Sequence, residues 1–306
     1  MTNATHITTT TTEVLCIGSV LWDIIGRCTV EMQRGSDMPG RITRLPGGVA
    51  MNIAMTLARF GLSPSLLTAV GQDPEGEELI AACGHLGLRT DHIYRSTDLP
   101  TDRYMAVEGA NGLIAAIADA HSLEAAGDKI LKALLDGTLG SQAAPYEGVI
   151  ALDGNLTLSL LAEIACNPAF AKADLRIAPA SPGKAERLRP FLTHQRGTLY
   201  VNLEEAGILC QETFGDSETA ALALIARGAE RVLVTDGGCS ASEARSQTQS
   251  VITEVPPRVT VARVTGAGDT FMAAHIAAEA RGDDRTSALS AALTAAATYV
   301  SGEPPL

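Results

Sequence analysis

Short apolar runs that recur between longer Ala- and Leu-rich helical patterns constrain this 306-residue chain more than any other feature. Runs at 14–17, 65–70, 148–152, 175–178, 198–201 and 231–235 read as strands. Helical spacing occupies 52–60, 75–86, 157–166, a stretch from about 203, 217–227, 267–280 and 286–300. Parallel neighbours need a crossover of about a dozen residues, which a helix supplies. The alternation therefore predicts an α/β fold, a doubly wound and mainly parallel sheet with helices on both faces. Ligands of such folds bind at the carboxyl ends of the strands. The residues just after strands are the ones to examine.

Charge and composition narrow the partners. Lys plus Arg number 23 against 35 Asp plus Glu, a formal net charge of −12. So acidic a chain repels a phosphate backbone, and nucleic acid is not an expected partner. A small phosphate ligand stays allowed, because backbone N–H groups hold one without basic side chains. No run reaches about 18 apolar residues, so no membrane span is expected. Residues 1–12 are polar and Thr-rich, lack the basic and apolar regions of a secretory signal, and read as a disordered tail. The six cysteines are scattered, with no Cys-x-x-Cys pair and no zinc spacing. A reduced, cytoplasmic protein follows, with one α/β domain over 13–306.

Two segments break the alternation, at about 26–45 and 101–118. In the second, strand-like 103–107 and 113–117 flank a Gly-containing turn at 108–112. On pattern alone this is either a surface hairpin or part of a small β lid over a site.

The stretch that carries chemistry is Val264-Thr265-Gly266-Ala267-Gly268-Asp269-Thr270-Phe271, which opens an Ala-rich helix. Gly266 and Gly268 let backbone approach a ligand closely, and free N–H groups at a helix start face an anion. Asp269 either favours the helix start or takes a proton from an alcohol attacking a phosphoryl group. The second stretch is Pro46-Gly47-Gly48-Val49-Ala50-Met51-Asn52-Ile53-Ala54. Gly47 and Gly48 allow close approach to a small molecule, and the Asn52 amide offers donors and an acceptor matching a polyol. No Gly-x-x-x-x-Gly-Lys-[Ser/Thr] loop is present.

Together, Gly-Gly-x-x-x-Asn-x-Ala in the first third and Gly-Ala-Gly-Asp-x-Phe near the end resemble the signatures of the ribokinase-like (phosphofructokinase-B) family of carbohydrate and nucleoside kinases. The resemblance spans 14 to about 300. It implies ATP and Mg²⁺, with Asp269 as the base that deprotonates the acceptor hydroxyl. The N–H groups of Gly266, Ala267 and Gly268 would form the anion hole. Asp23, Gly47, Gly48 and Asn52 would bind the sugar. Asn202 and Glu205 resemble the family's Asn-x-x-Glu stretch, which helps place Mg²⁺ and the nucleotide phosphates, so Glu205 would act on the metal indirectly. Thr235, Gly237 and Gly238 resemble its turn against ATP phosphates. Three departures stand out. Arg263 replaces a common Asp, which leaves the monovalent-cation site of some relatives without its carboxylate. Ser240 replaces a Gly, and Ala273-Ala274-His275 replaces Ala-Gly.

Short stretches resemble the pseudouridine kinase branch: the lid run ending in Ala-x-Ala-Asp at 119, Asp153-Gly154-Asn155-Leu156, and Ser181-Pro182-Gly183-Lys184-Ala185. Ala120, where that branch tends to have Met, departs from it. The resemblance implies phosphorylation of pseudouridine, with Asp153 and Asn155 also on the substrate side. Ribose, another sugar or a purine nucleoside is the alternative acceptor, and a non-catalytic sugar-binding module the alternative class. Exposed lid strands would be covered by a second copy's lid, which predicts a homodimer.

Overall fold

Burial on both sides decides the central layer. In β1 (Glu13–Ile17), Val14 and Cys16 enter one apolar core while Leu15 and Ile17 enter another. Successive strand side chains point to opposite faces, so a strand covered on both must be apolar throughout. The computed structural model describes residues 13–33, 35–194, 197–248 and 250–303; the expected tail at 1–12 lies outside them.

After β1 the chain leaves the central layer for β2 (Leu21–Arg27) and β3 (Arg41–Gly47), enters α1 (Val49–Arg59) and returns as β4 (Ser63–Leu67), parallel to β1. A small parallel pair, β5 (Ala69–Gly71) and β6 (Tyr94–Ser96), flanks α2 (Pro74–His85). The hairpin β7 (Arg103–Gly109) and β8 (Gly112–Asp119) follows, then the short helices α3 (Ser122–Ala126) and α4 (Lys132–Leu135). Alternation resumes through β9 (Val149–Asp153), α5 (Leu158–Cys166), β10 (Asp174–Ala178), β11 (Gly197–Asn202), α6 (Leu203–Cys210), α7 (Ser217–Ala226) and β12 (Arg231–Thr235). Strands β13 (Ala241–Arg245) and β14 (Ser250–Glu254) add an antiparallel edge, and α8 (Ala267–Ala280) and α9 (Arg285–Val300) complete the chain. The crossover from β10 to β11 is built of 3-10 turns over Pro182–Phe191, where Pro190 removes a helical donor.

The main sheet runs β14-β13-β12-β11-β10-β9-β1-β4, parallel from β12 to β4. Helices α1, α8 and α9 contribute to one core and α5, α6 and α7 to the other. From β1 the chain winds outward to β4 on one side. It later restarts at β9, on the other side of β1, and winds out to β12. The carboxyl ends of β1 and β9 therefore flank the topological switch point, where such folds bind ligands.

A second sheet, β3-β2-β7-β8, stands apart from the first. The hairpin falls where it is expected, at about 101–118, whereas the first two strands do not keep to 26–45. β2 begins at Leu21, because Leu21 and Trp22 bury their side chains at the base of the sheet, and 28–40 lie outside its strands. All four points where chain passes between the two sheets fall at one end. Leu21 pairs with Gly47, Trp22 with Arg103, and Arg103 with Asp119. Two buried or capping carboxylates fix that row. Asp102 accepts from the N–H groups of Ser122 and Leu123 at 2.9 and 3.1 Å. Asp73 accepts from the N–H and hydroxyl of Thr101 at 2.7 and 2.5 Å. Leu15→Ala, at a fully buried site in the central layer, is expected to cost about 2–5 kcal/mol, read as a lower urea midpoint.

Candidate active site

Ser19, just after β1, organises the first part of the site. Its N–H and hydroxyl donate to one oxygen of the Asp153 carboxylate at 2.8 and 2.5 Å. The same hydroxyl oxygen accepts from the N–H of Val49 at 2.9 Å, and its carbonyl accepts from Met51 at 3.3 Å. Helix α1 starts at Gly48, which has no side chain to cap it, so Ser19 satisfies its first donors. Gly48 sits at φ +98, and a Cβ there would overlap the Ser19 carbonyl. A Cβ at Gly47 would overlap the Asp23 carboxylate. The two glycines thus let the start of α1 lie directly against β2.

Asp23 is partly buried on β2, and burial pushes its carboxyl up to about 6. One turn into α1, the Asn52 side-chain amide donates to an oxygen of Asp269 at 2.8 Å. That bond joins the two signature stretches across 217 residues. Burial pushes the Asp269 carboxyl up to about 7; the Asn52 bond opposes this, and the charges of Asp153 and Glu205 add to it. Asp269 lies in the first turn of α8, whose later turns are pinned beneath the sheet. His275 shares a hydrogen bond of 2.8 Å with the Tyr200 hydroxyl, and Glu279 accepts from Arg231 at 2.6 Å. Arg231 can only donate, so His275 Nε2 accepts from it at 3.3 Å and Nδ1 carries the proton.

The start of α8 is a tight turn. Val264 accepts from the N–H of Ala267 at 3.0 Å, and Gly266 takes φ +88 and ψ −1 at the third turn position, a type II geometry that favours glycine. The amide of Ala267, expected in the anion hole, is therefore engaged within the turn. The N–H groups of Gly266, Gly268 and Asp269 make no hydrogen bond among the described residues. Gly268 has open space where a Cβ would stand.

The other expected site residues separate into two groups. Asp153 has no exposed surface; Ser19 and the N–H of Asn155 (2.7 Å) occupy its oxygens, so it supports the site from beneath instead of meeting a substrate. Asn155 donates to the Ser19 hydroxyl at 3.0 Å and accepts from Lys184. Asn202 caps α6 in a reciprocal box with Glu205: each accepts from the other's backbone N–H at 2.8 Å. Asn202 pairs with Thr235 at the carboxyl ends of β11 and β12. Gly237, at φ +52, and Gly238 are open on the turn that follows, which is closed by the N–H of Cys239 donating to Asp236 at 2.8 Å. Ser240 bonds Ser217 at 2.9 Å.

No group of three or more His, Cys, Asp or Glu residues converges on a metal position among the described residues. Mg²⁺ keeps several waters and uses few protein carboxylates, so it needs no such cage. Glu205 fits a role through water: one oxygen is held by Asn202, and burial pushes its carboxyl up to about 7. Sequence reasoning gave Ser19 no role, although its place after a Gly-ended strand is the available signal. Tyr299, whose hydroxyl donates to the Thr265 carbonyl at 2.9 Å, has no local signal at all.

The description "pfkB family carbohydrate kinase" matches residues 11–303. The chain belongs to this family. The kinase is thus an ATP-dependent phosphotransferase with an alcohol acceptor. A pseudouridine kinase of Escherichia coli is 29% identical over 264 residues, 85% of this chain and 81% of that protein. A ribokinase of Bacillus subtilis is 28% identical over 298 residues, 94% of this chain and 92% of that one. The structure of Arabidopsis thaliana ribokinase complexed with ribose and ATP shares the fold, with a TM-score of 0.77 at 21% identity over 95% of this chain and 92% of that one. Among the described residues no helix is long and apolar enough to cross a membrane.

Burial pushes the Asp269 carboxyl up to about 7, so with Asp269 as the proposed base kcat/KM is expected to fall as the pH drops below about 7. Asn52→Ala removes the bond that favours the charged form and should move that limb to higher pH in the same profile. Stability runs the other way. The folded state holds this proton more tightly than an unfolded Asp at 3.8, so the contribution is present below that pH and is lost as pH rises through about 7. Asp269→Asn should therefore raise the thermal midpoint at pH 8 and leave it nearly unchanged at pH 4.

Proposed function

We propose that this kinase transfers the γ-phosphoryl of ATP to the 5′-hydroxyl of pseudouridine or a closely related nucleoside. The observation that carries the reading is the Asn52–Asp269 bond, which puts a carboxylate titrating near 7 between the sugar-side glycines and the unpaired amides of α8. In the reaction the acceptor hydroxyl gives its proton to Asp269 as its oxygen bonds to phosphorus. The bond from phosphorus to the β,γ-bridging oxygen breaks, and ADP leaves. Asp23 accepts from two sugar hydroxyls, with Asn52 and the backbone at Gly47 and Gly48 beside it. The N–H groups of Gly266 and Gly268 face the charge on the transferred group. Asn202, Thr235, Gly237 and Gly238 line the ATP side. Mg²⁺, when bound with ATP, would supply charge neutralisation, and Glu205 would hold it through water.

Two observations favour a nucleoside. Tyr104 on β7 pairs with Asp23 on β2, so its ring shares the face that carries the sugar ligand and offers a base a stacking surface. Two of the three stretches that resemble the pseudouridine branch also meet, through the Lys184 ammonium on Asn155. A cytoplasmic location accords with ATP as donor. The outer face of the small sheet exposes Ile42, Met105 and Ile117, which accords with a homodimer through the lid.

ADP release measured with Mg²⁺ against pseudouridine, uridine, adenosine, ribose and fructose tests the reading. Turnover of pseudouridine is expected, with kcat lowered about 10²–10⁴-fold in Asp269→Asn. Tyr104→Ala should raise KM for the nucleoside roughly tenfold and leave ribose unaffected. Turnover of ribose alone would discard the nucleoside and keep the kinase. Light scattering should show a dimer that Ile117→Arg converts to monomer.

A further inference from the structure

Asn52 holds the Asp269 side chain from α1, but among the described residues the turn that precedes it is tied to other elements by hydrogen bonds from one direction. The residues before it, 256–261, make no hydrogen bond among the described residues, and Val259, Val261 and Val264 are exposed. Its anchorage comes from the end of α9. The N–H groups of Ala262 and Arg263 both donate to the Val300 carbonyl, at 2.9 and 3.2 Å. The Arg263 guanidinium donates to the carbonyls of Tyr299 at 2.9 Å and Glu303 at 3.3 Å, and lies 3.8 Å over the Tyr299 ring. The Tyr299 hydroxyl then donates to the Thr265 carbonyl at 2.9 Å, inside the turn. A Cβ on Gly266 would stand 2.5 Å from that hydroxyl oxygen. The ring therefore sits directly against the residue whose left-handed conformation makes the turn.

We propose that Tyr299, braced by Arg263, is a positioning residue for phosphoryl transfer: its hydroxyl holds the Thr265 peptide so that the amides of Gly266 and Gly268 stay aimed at the transferred group. Arg263 and Tyr299 form one unit, since the guanidinium touches both the ring and the backbone of the same tyrosine. The inference rests on the kinase reading and adds residues outside the acceptor and nucleotide sites. A preorganised donor acts only where charge develops, so its misplacement lowers turnover and leaves ground-state binding intact.

Tyr299→Phe removes the hydroxyl and keeps the ring and its stack. With the acceptor turned over by the wild-type enzyme, we expect kcat to fall about tenfold or more, while KM for acceptor and for ATP stays within twofold. The affinity for ADP with fluoroaluminate and acceptor, a mimic of the transferring phosphoryl, should fall in proportion, and ADP alone should bind unchanged. Arg263→Met should reproduce the loss, and the double variant should lose little more than either single one. Unchanged kcat in Tyr299→Phe would overturn the proposal. So would a loss accompanied by equal rises in KM, or a double variant whose loss is the product of the two. A thermal midpoint that falls together with activity, with no change in affinity for the phosphoryl mimic, would reduce Tyr299 to a structural role. Failure of the wild-type enzyme to turn over any acceptor would instead remove the kinase reading itself, and this inference with it.

Discussion

One buried carboxylate holds the switch point of the sheet together. Asp153 closes β9 and accepts from both donors of Ser19, which follows β1; Ser19 in turn supplies the acceptors that start α1. A buried carboxylate is costly unless its oxygens are filled, and here they are filled by groups that must each be in place. Gly18 is part of the same constraint, since a Cβ there would collide with Asp153. The strand ends, the first helix and the small sheet that grows from between them are thereby set relative to one another before any ligand arrives. Asn52 then extends the chain of contacts from α1 to Asp269 on α8.

Electrostatics explain how so acidic a site suits a phosphorylated donor. Asp23, Glu205 and Asp269 are each raised by burial, to about 6, 7 and 7. Carboxylates held near neutrality carry less negative charge against an incoming phosphate than exposed ones would, and a base of that strength takes a proton readily. In the proposed reading the compensating positive character comes from backbone amides at the start of α8, in keeping with the overall charge of −12.

Much of this was legible in the chain. The strand runs at 14–17, 148–152 and 231–235, and the helix expected at 157–166, fall where their spacing puts them, because a sheet buried on both faces writes itself as uninterrupted apolar residues. The signature stretches announced Asn52 and Asp269, but not that they touch; a contact across 217 residues leaves no local trace. The hairpin of the small sheet was legible at 101–118, but its first two strands were read with the wrong bounds for a related reason. Leu21 and Trp22 look like loop after β1, and only their pairing with Gly47 and Arg103 makes them strand. Asp153 misled because a carboxylate at a strand end suits a ligand and a buried brace equally well. The engaged amide of Ala267 depends on a turn geometry that the order of residues leaves open.

The row of chain crossings at the base of the small sheet has a mechanical consequence. Because Leu21, Gly47, Arg103 and Asp119 lie side by side, the sheet is attached along a single line, an arrangement that permits rotation about that line. At about 3.3 Å per residue, Asp23 stands only some 7 Å from that line, whereas the far end of β2 at Arg27 stands about 20 Å away. Any given rotation sweeps the tip through roughly three times the arc of Asp23. In the proposed reading, where Asp23 holds the acceptor, covering the site with the tip of the sheet thus displaces that contact by only about a third as much as the tip itself moves.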